Sequence, residues 1–313
     1  MIWILADDRA GNVNQLLGIV EVLDLPYERK EIRYNKWVKL PNFLRGASFV
    51  GITKESKRGL NAPYPDLVLS AGRRSFPVAL VIKKLSGGKT KIVQLMNPGK
   101  LEEKKADLLI LPVHDNYKGD AKNVMQVLGT PHRVTPEKLA IEKKHWEPLL
   151  KKYPSPQISL LVGGATKDKK FTLENAADLV RVIKDLKPAS LLVTTSRRTP
   201  VDIVDSLKKE LPEPKFFYQF GDKTENPYFG LLSMADMLVV TGDSMSMCSE
   251  CAGVGVPVVI FAPSEMVGAK HARFHQALYA GGYAVPAGQK PVKPKKRLNP
   301  AYEIADKIKK ELL

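Results

Sequence analysis

A chain of 313 residues exceeds what one ordinary hydrophobic core serves, so two domains of roughly 150 residues are expected. The composition, 44% hydrophobic and 26% charged, is globular rather than disordered, and no apolar run approaches the roughly 20 residues that span a bilayer. A formal net charge of +16, from 49 Lys+Arg against 33 Asp+Glu, attracts anions such as phosphorylated small molecules, nucleic acid or an anionic membrane face, and its sign alone does not choose among them.

The first five residues, MIWIL, do not open a signal peptide, because Asp7, Asp8 and Arg9 interrupt the apolar run at once. A cytoplasmic protein is expected, and the two cysteines need not form a disulfide. In chain order, strands are expected at 2–5, 27–32, 67–70, 91–95, 108–111 and 124–128, with helices at 14–23 and 76–85. Between Tyr34 and Tyr64 basic residues alternate with Trp37, Val38, Leu40, Phe43, Leu44, Phe49 and Val50, a mixture suited either to a lipid headgroup layer or to a helical excursion over a sheet edge. Proline-bracketed residues 136–156 read as a charged, helical linker. Beyond it, strands at 158–162, 191–195, 216–218, 237–240 and 258–261 alternate with helices at 173–186, 201–210, 228–234, 246–252 and 272–280. Strands that are apolar throughout and joined by helices mean parallel sheets covered on both faces. The fold class is therefore α/β, with two Rossmann-like doubly wound parallel-sheet domains, 1–135 and 157–290, facing a cleft. Residues 291–313 supply a basic linker and a last helix at 302–313 that returns to the N-terminal domain. Other basic runs, at 100–105, 167–170 and 290–297, read as solvated surface.

Ligands of such sheets bind beyond the C-terminal strand ends, so function is read from the loops there. After strand 2–5, Asp7 and Asp8 precede Asn12, Asn14 and Gln15; a carboxylate placed there can take a proton from an acceptor hydroxyl. Gly72, Arg73 and Arg74 after strand 67–70 form an anion-binding turn, and His114 after strand 108–111 is either a base or a structural histidine. Gly163 and Gly164 end strand 158–162, where small residues let backbone amides approach phosphate oxygens. Ser196 and Arg197, within SRRTP at a helix start, combine charge, hydroxyl and dipole for an anion. Asn226 either caps a helix or touches a base or sugar. In TGDSMSMCSEC, Asp243 or Ser244 caps a helix whose first free amides, at Met245 to Met247, face a phosphate with the Ser246 hydroxyl, and Glu250 lies within reach of ribose hydroxyls. A nucleophile elbow at Ser244, with His271 or His275 as base, is disfavoured because Ser246 stands where the elbow needs glycine. Cys248 and Cys251 lack further ligands for zinc and read as buried helix-face residues.

The strings DDRAGNVNQLLG, LSAGRRSFPVA, VQLMNPG, LPVHDNY, VLGTPHRVTPEKLA, LLVGGATK, LLVTTSRRTP and NPYFGLLSMADMLVVTGDSMSMCSECAGVGVPV resemble, in order and over nearly the whole chain, the mitochondrial fission ELM family of plants and its bacterial homologues. Bacterial members are regarded as glycosyltransferases of the GT-B fold. The chain has Cys251 where alanine is commoner in the family, and Asn12 where many members have histidine. The second half is also similar to the donor halves of the glucosaminyltransferase of peptidoglycan precursor synthesis and of lipopolysaccharide sugar-acid transferases. The resemblance implies a metal-independent GT-B glycosyltransferase that needs no cofactor besides its nucleotide-sugar donor. Glu250 would hold the ribose; Gly163, Gly164, Ser196, Arg197, Asn226, Asp243, Ser244, Met245 and Ser246 the rest of the donor; Asp7 or Asp8 would be the base. Asn14, Gln15, Gly72, Arg73 and His114 would face an anionic or lipid-linked acceptor, with peripheral contact at the inner face of the cytoplasmic membrane. The alternatives are a non-catalytic fission-type membrane scaffold and a nucleotide-sugar epimerase or hydrolase; no nucleic-acid module is recognisable.

Overall fold

The computed structural model describes residues 1–166 and 168–313, so Lys167 of the basic run at 167–170 lies outside the described residues. Two compact units emerge: unit 1 is Met1–Arg133 with Pro300–Leu313, and unit 2 is Val134–Asn299.

Unit 1 is built on six parallel strands, β1 (Ile2–Ala6), β2 (Tyr27–Glu31), β3 (Leu67–Ala71), β4 (Lys91–Leu95), β5 (Leu108–Pro112) and β6 (Val124–Val127), in the order β2-β1-β3-β4-β5-β6. Residues alternate between faces along each strand. Ile2 and Ile4 of β1 enter one core with Leu16 and Ile19 of α1 (Ala10–Leu23), while Trp3 and Leu5 enter another with Phe76 and Ile82 of α4 (Phe76–Leu85). Ile304 and Ile308 of α11 (Ala301–Glu311) complete the first core. The charged sequence YERKE of β2 is tolerated because β2 is an exposed edge strand, where charge discourages further pairing. Between β2 and β3 the chain makes an excursion through a 3-10 turn (Lys36–Lys39), α2 (Asn42–Arg45) and α3 (Lys54–Arg58).

Unit 2 carries β7 (Gln157–Val162), β8 (Ser190–Thr195), β9 (Lys215–Tyr218), β10 (Met237–Thr241), β11 (Val258–Phe261) and β12 (Val285–Pro286), all parallel, in the order β12-β11-β10-β7-β8-β9. Its helices are α5 (Pro136–Leu150), α6 (Leu173–Asp185), α7 (Val201–Glu210), α8 (Tyr228–Met234), α9 (Met245–Val254) and α10 (Ala269–Ala280). The charged helical stretch read as a linker forms α5, which belongs to unit 2. Thr135 accepts a hydrogen bond from Lys138 N–H to start it, and Leu139, Trp146 and Leu150 bury one stripe of an otherwise charged helix. That stripe meets α8 at Gly230, where an added Cβ would lie 2.3 Å from the Trp146 indole.

In each sheet the chain direction of growth reverses once: between β1 and β3 in unit 1, and between β7 and β10 in unit 2. Strand-following loops diverge at such a point and leave a crevice for ligand. The loops at these two crevices are Asp7–Asp8 with Gly72–Arg74, and Gly163–Gly164 with Gly242–Ser246.

Candidate functional site

At the unit 2 crevice a single carboxylate fastens three loops. Asp243 is buried; its Oδ1 accepts from the Thr241 hydroxyl at 2.7 Å, and its Oδ2 accepts from Gly164 N–H at 2.9 Å and from Arg198 Nη2 at 2.8 Å. The Thr241 hydroxyl in turn accepts from Gly163 N–H at 2.7 Å. Arg198 also donates to the Ala165 carbonyl at 3.1 Å, and Thr199 donates to the Gly163 carbonyl. This packing explains the glycines. A Cβ on Gly163 would fall 2.2 Å from Asp243 Oδ1, and one on Gly164 would fall 2.0 Å from the Arg198 carbonyl. Their amides point inward, so the phosphate-donating role expected of Gly163 and Gly164 gives way to a structural one. Asp243 likewise has both oxygens occupied within the protein.

From the far side, α10 holds the same turn. His275 packs against Gly242, and burial lowers its pKa to about 4 while also lowering that of His271. The His275 ring abuts Gly242 so closely that a Cβ there would lie 2.5 Å from it. These histidines are braces for the turn, not bases for Ser244, which caps α9 by accepting from Met247 N–H at 3.4 Å.

With the cap made, the amides of Met245 and Ser246 remain as the open donors of the first turn, beside the partly exposed Ser246 hydroxyl. Helix dipole and open amides together favour an anion at this position. Glu250 follows just over one turn along α9, nearly fully buried, with one oxygen accepting from the Tyr228 hydroxyl. Among the described residues it has no cationic partner, and burial raises its pKa to about 7 against the pull of the Tyr228 bond. Arg197 is exposed and makes no ion pair among the described residues, which leaves its guanidinium available, whereas its neighbour Arg198 is committed to Asp243. The Ser196 hydroxyl accepts from Arg198 N–H at 3.2 Å. Asn226 caps α8 by accepting from Tyr228 N–H at 3.0 Å, so of its two readings the structure uses the cap. Cys248 and Cys251 are buried free thiols.

At the unit 1 crevice, Arg74 bridges both carboxylates. Its Nη2 donates to Asp7 Oδ2 at 2.9 Å and to Asp8 as well. Asp7 is buried and also accepts from Arg9 N–H at 3.0 Å and Asn12 Nδ2 at 3.2 Å, so its oxygens are filled. Asp8 is 67% exposed at its side chain, and the Arg74 hydrogen bond holds its pKa below the ordinary carboxylate value. The guanidinium of Arg74 sits 4.5 Å over the Tyr34 ring, and burial, then the Asp7 charge, push the Tyr34 phenol well above its usual value. Gly72 adopts φ +76 beside the Asn12 amide, and Arg73 turns away to donate to the Leu40 carbonyl at 2.9 Å. Asn14 and Gln15 lie on α1; Gln15 is buried beside Met96, Ile110 and Pro112. His114 is buried on the turn after β5, three strand spacings from β1, about 14 Å from the Asp7–Asp8 loop. It does not join the carboxylates.

Sequence reasoning missed Arg198, Thr241 and Tyr228 as partners of the named residues, and Arg74, Tyr34 and Asn12 around Asp7. Arg74 was visible only as part of an anion-binding turn; its pairing with two aspartates 66 and 67 residues away depends on strand order, which the sequence does not show. The partner of Glu250 had no signal, because Tyr228 is 22 residues away on another helix.

Two parallel α/β units, each with its own switch-point crevice, define the GT-B architecture shared by glycosyltransferases and nucleotide-sugar epimerases. Solved structures agree. The glycotransferase of kitacinnamycin superposes with a TM-score of 0.55 at 15% identity, covering 100% of this chain and 99% of that one. MurG of Acinetobacter baumannii (TM-score 0.51, 14%) and the UDP-GlcNAc 2-epimerase of Methanocaldococcus jannaschii (0.52, 13%) each cover 99% of both chains. At these identities the likeness is one of fold. The family model described as Mitochondrial fission ELM1 matches residues 10–312, and the chain belongs to that family. An uncharacterized protein of Rickettsia prowazekii (strain Madrid E) is 29% identical over 88% of this chain and 87% of its own length. The Mitochondrial fission protein ELM1 of Arabidopsis thaliana is 24% identical over 73% of this chain, which spans 57% of the plant protein.

Proposed function

We propose that the chain is a metal-independent glycosyltransferase that binds a nucleotide-sugar donor in the unit 2 crevice and an acceptor hydroxyl at the unit 1 crevice. The observation that carries the donor half is the pairing of open amides at Met245 and Ser246 with a buried carboxylate, Glu250, that lacks a cation partner. An anionic diphosphate on the first turn of α9 and two vicinal hydroxyls on Glu250 match a nucleoside diphosphate, with Arg197 and the Ser246 hydroxyl stabilising the leaving phosphate. Structures of the same fold carry UDP-GlcNAc or UDP in their names, which supports that donor class. On the acceptor side Asp8 takes the hydroxyl proton, and Asp7 holds Arg74 in place. Since Arg74 keeps Asp8 weakly basic, the acceptor must draw Arg74 off Asp8 before transfer. An acceptor carrying a phosphate does so.

A thermal-shift panel of nucleoside diphosphate sugars tests the donor half: one of them stabilises the protein, and Glu250→Ala removes the stabilisation. Full retention of binding by that variant in calorimetry sinks the assignment. The Asp8–Arg74 pair also favours a second reading, a nucleotide-sugar-binding scaffold without transfer. It predicts donor binding that survives Asp8→Asn and no turnover with any acceptor.

A further inference from the structure

The excursion between β2 and β3 exposes more apolar side chain than any fold requirement explains. Trp37 is 54% exposed, Phe43 60%, Leu44 63%, and Leu101, on the 3-10 turn Lys100–Lys105, 76%. The backbone beneath them is fixed by polar pins instead. Asn42 is buried and donates its side-chain amide to the carbonyls of Arg73 at 2.9 Å and Pro98 at 3.0 Å. Arg45 is also buried and donates to the carbonyls of Val50 at 3.0 Å and Arg74 at 3.1 Å. Phe43 and Leu44, between these two pins, are therefore not needed to hold the segment, and they point out of it.

Phe43 and Leu101 border one hollow of about 310 Å³ together with Pro41, Pro98, Lys39 and Arg73. Its floor and walls are apolar and its edge is basic; the one acid at its margin, Glu102, is paired with Lys105 at 3.0 Å. The Lys36 ammonium lies 5.5 Å from the Trp37 ring. From Tyr34 to Leu60 the chain has six Lys or Arg and a single Glu. Exposed aromatic and aliphatic side chains ringed by cations match an anionic lipid surface: the apolar groups enter the acyl boundary and the cations meet the headgroup phosphates.

We infer that residues 36–50 and Leu101 of unit 1 form a docking surface for an anionic phospholipid leaflet, with the Phe43–Leu101 hollow taking part of an acyl chain. The inference uses no feature of the donor crevice and holds for a transferase and for a scaffold alike.

Trp37 makes the test direct, because the chain has three tryptophans and the other two, Trp3 and Trp146, are buried. The full chain is mixed with vesicles of phosphatidylcholine containing 30% phosphatidylglycerol, about a third anionic lipid as in the membranes that basic segments bind, with or without bromine-labelled acyl chains. Expected are co-sedimentation with the anionic vesicles, quenching of tryptophan emission by the brominated lipid, and loss of that quenching in Trp37→Phe. The double variant Phe43→Glu, Leu44→Glu, at two exposed positions, keeps its circular dichroism and loses about tenfold or more in partition. Absence of sedimentation overturns the inference. So does sedimentation with Trp37 unquenched and unaffected by the double variant, which marks simple charge adsorption, and so does a vesicle-independent dimer that the double variant abolishes.

Discussion

Asp243 shows how much of a site can rest on one buried carboxylate. Its carboxylate joins the ends of β7 and β10 to Arg198, and it leaves no room for a side chain at Gly163. Gly164→Ala pushes a Cβ against a backbone carbonyl, which cannot swing aside, and should cost about 2–4 kcal/mol in urea unfolding. Glu250 adds a pH signature. Its folded pKa of about 7 lies above the unfolded carboxylate value, so the native state binds the extra proton and stability falls as pH rises through that interval. Glu250→Gln keeps an acceptor for Tyr228 and removes the buried charge. The variant should match wild type in urea midpoint near pH 4 and exceed it at pH 8, and an equal midpoint difference at both pH values would refute the buried charge. The sequence disclosed Glu250 and the turn before it through helix-start chemistry. It did not disclose that Asp243 faces inward, since its partners Gly164 and Arg198 are 79 and 45 residues away and only the fold brings them near.

At the scale of elements, α11 is the piece whose removal is most legible in a measurement. Ala301, Ile304, Ala305 and Ile308 are buried in the first core of unit 1. Ile308→Ala should lose about 2–4 kcal/mol, whereas Lys309→Ala, one position round the same helix and exposed, should stay within about 0.5 kcal/mol. Equal effects would show that the helix is held by something other than its apolar face. Parallel strands were readable to within about a residue at each end, because a strand buried on both faces is apolar throughout, whereas α1 and α10 begin several residues before their expected starts. Other features escaped for physical reasons. Helix α5 was legible as a charged helical stretch, but three buried side chains among many charges are too few to show that it packs into unit 2. Helices α2 and α3, of four and five residues, are too short to show a helical period. Strand β12 is two residues long and has no periodicity to detect.

For the whole molecule, the +16 charge fits the docking surface inferred above. The donor half of the proposed reaction uses amides, a hydroxyl and Arg197 on the phosphates, so donor binding should be unchanged by EDTA in calorimetry; a loss reversed by added magnesium would refute metal independence. The paired α/β architecture was legible from alternation of strands and helices, while the two reversal points were not, because strand order is a property of pairing between distant segments. The return of α11 to unit 1 also orders events on the ribosome. Unit 2 is one uninterrupted stretch, Val134–Asn299, and can close its core as soon as it emerges. Unit 1 is synthesised first yet cannot finish, since part of its core arrives only with residues 301–308. The nascent N-terminal sheet therefore waits with an apolar face uncovered while some 166 further residues are made, which at about 5–20 residues per second is on the order of ten to thirty seconds of exposure to chaperones and to aggregation.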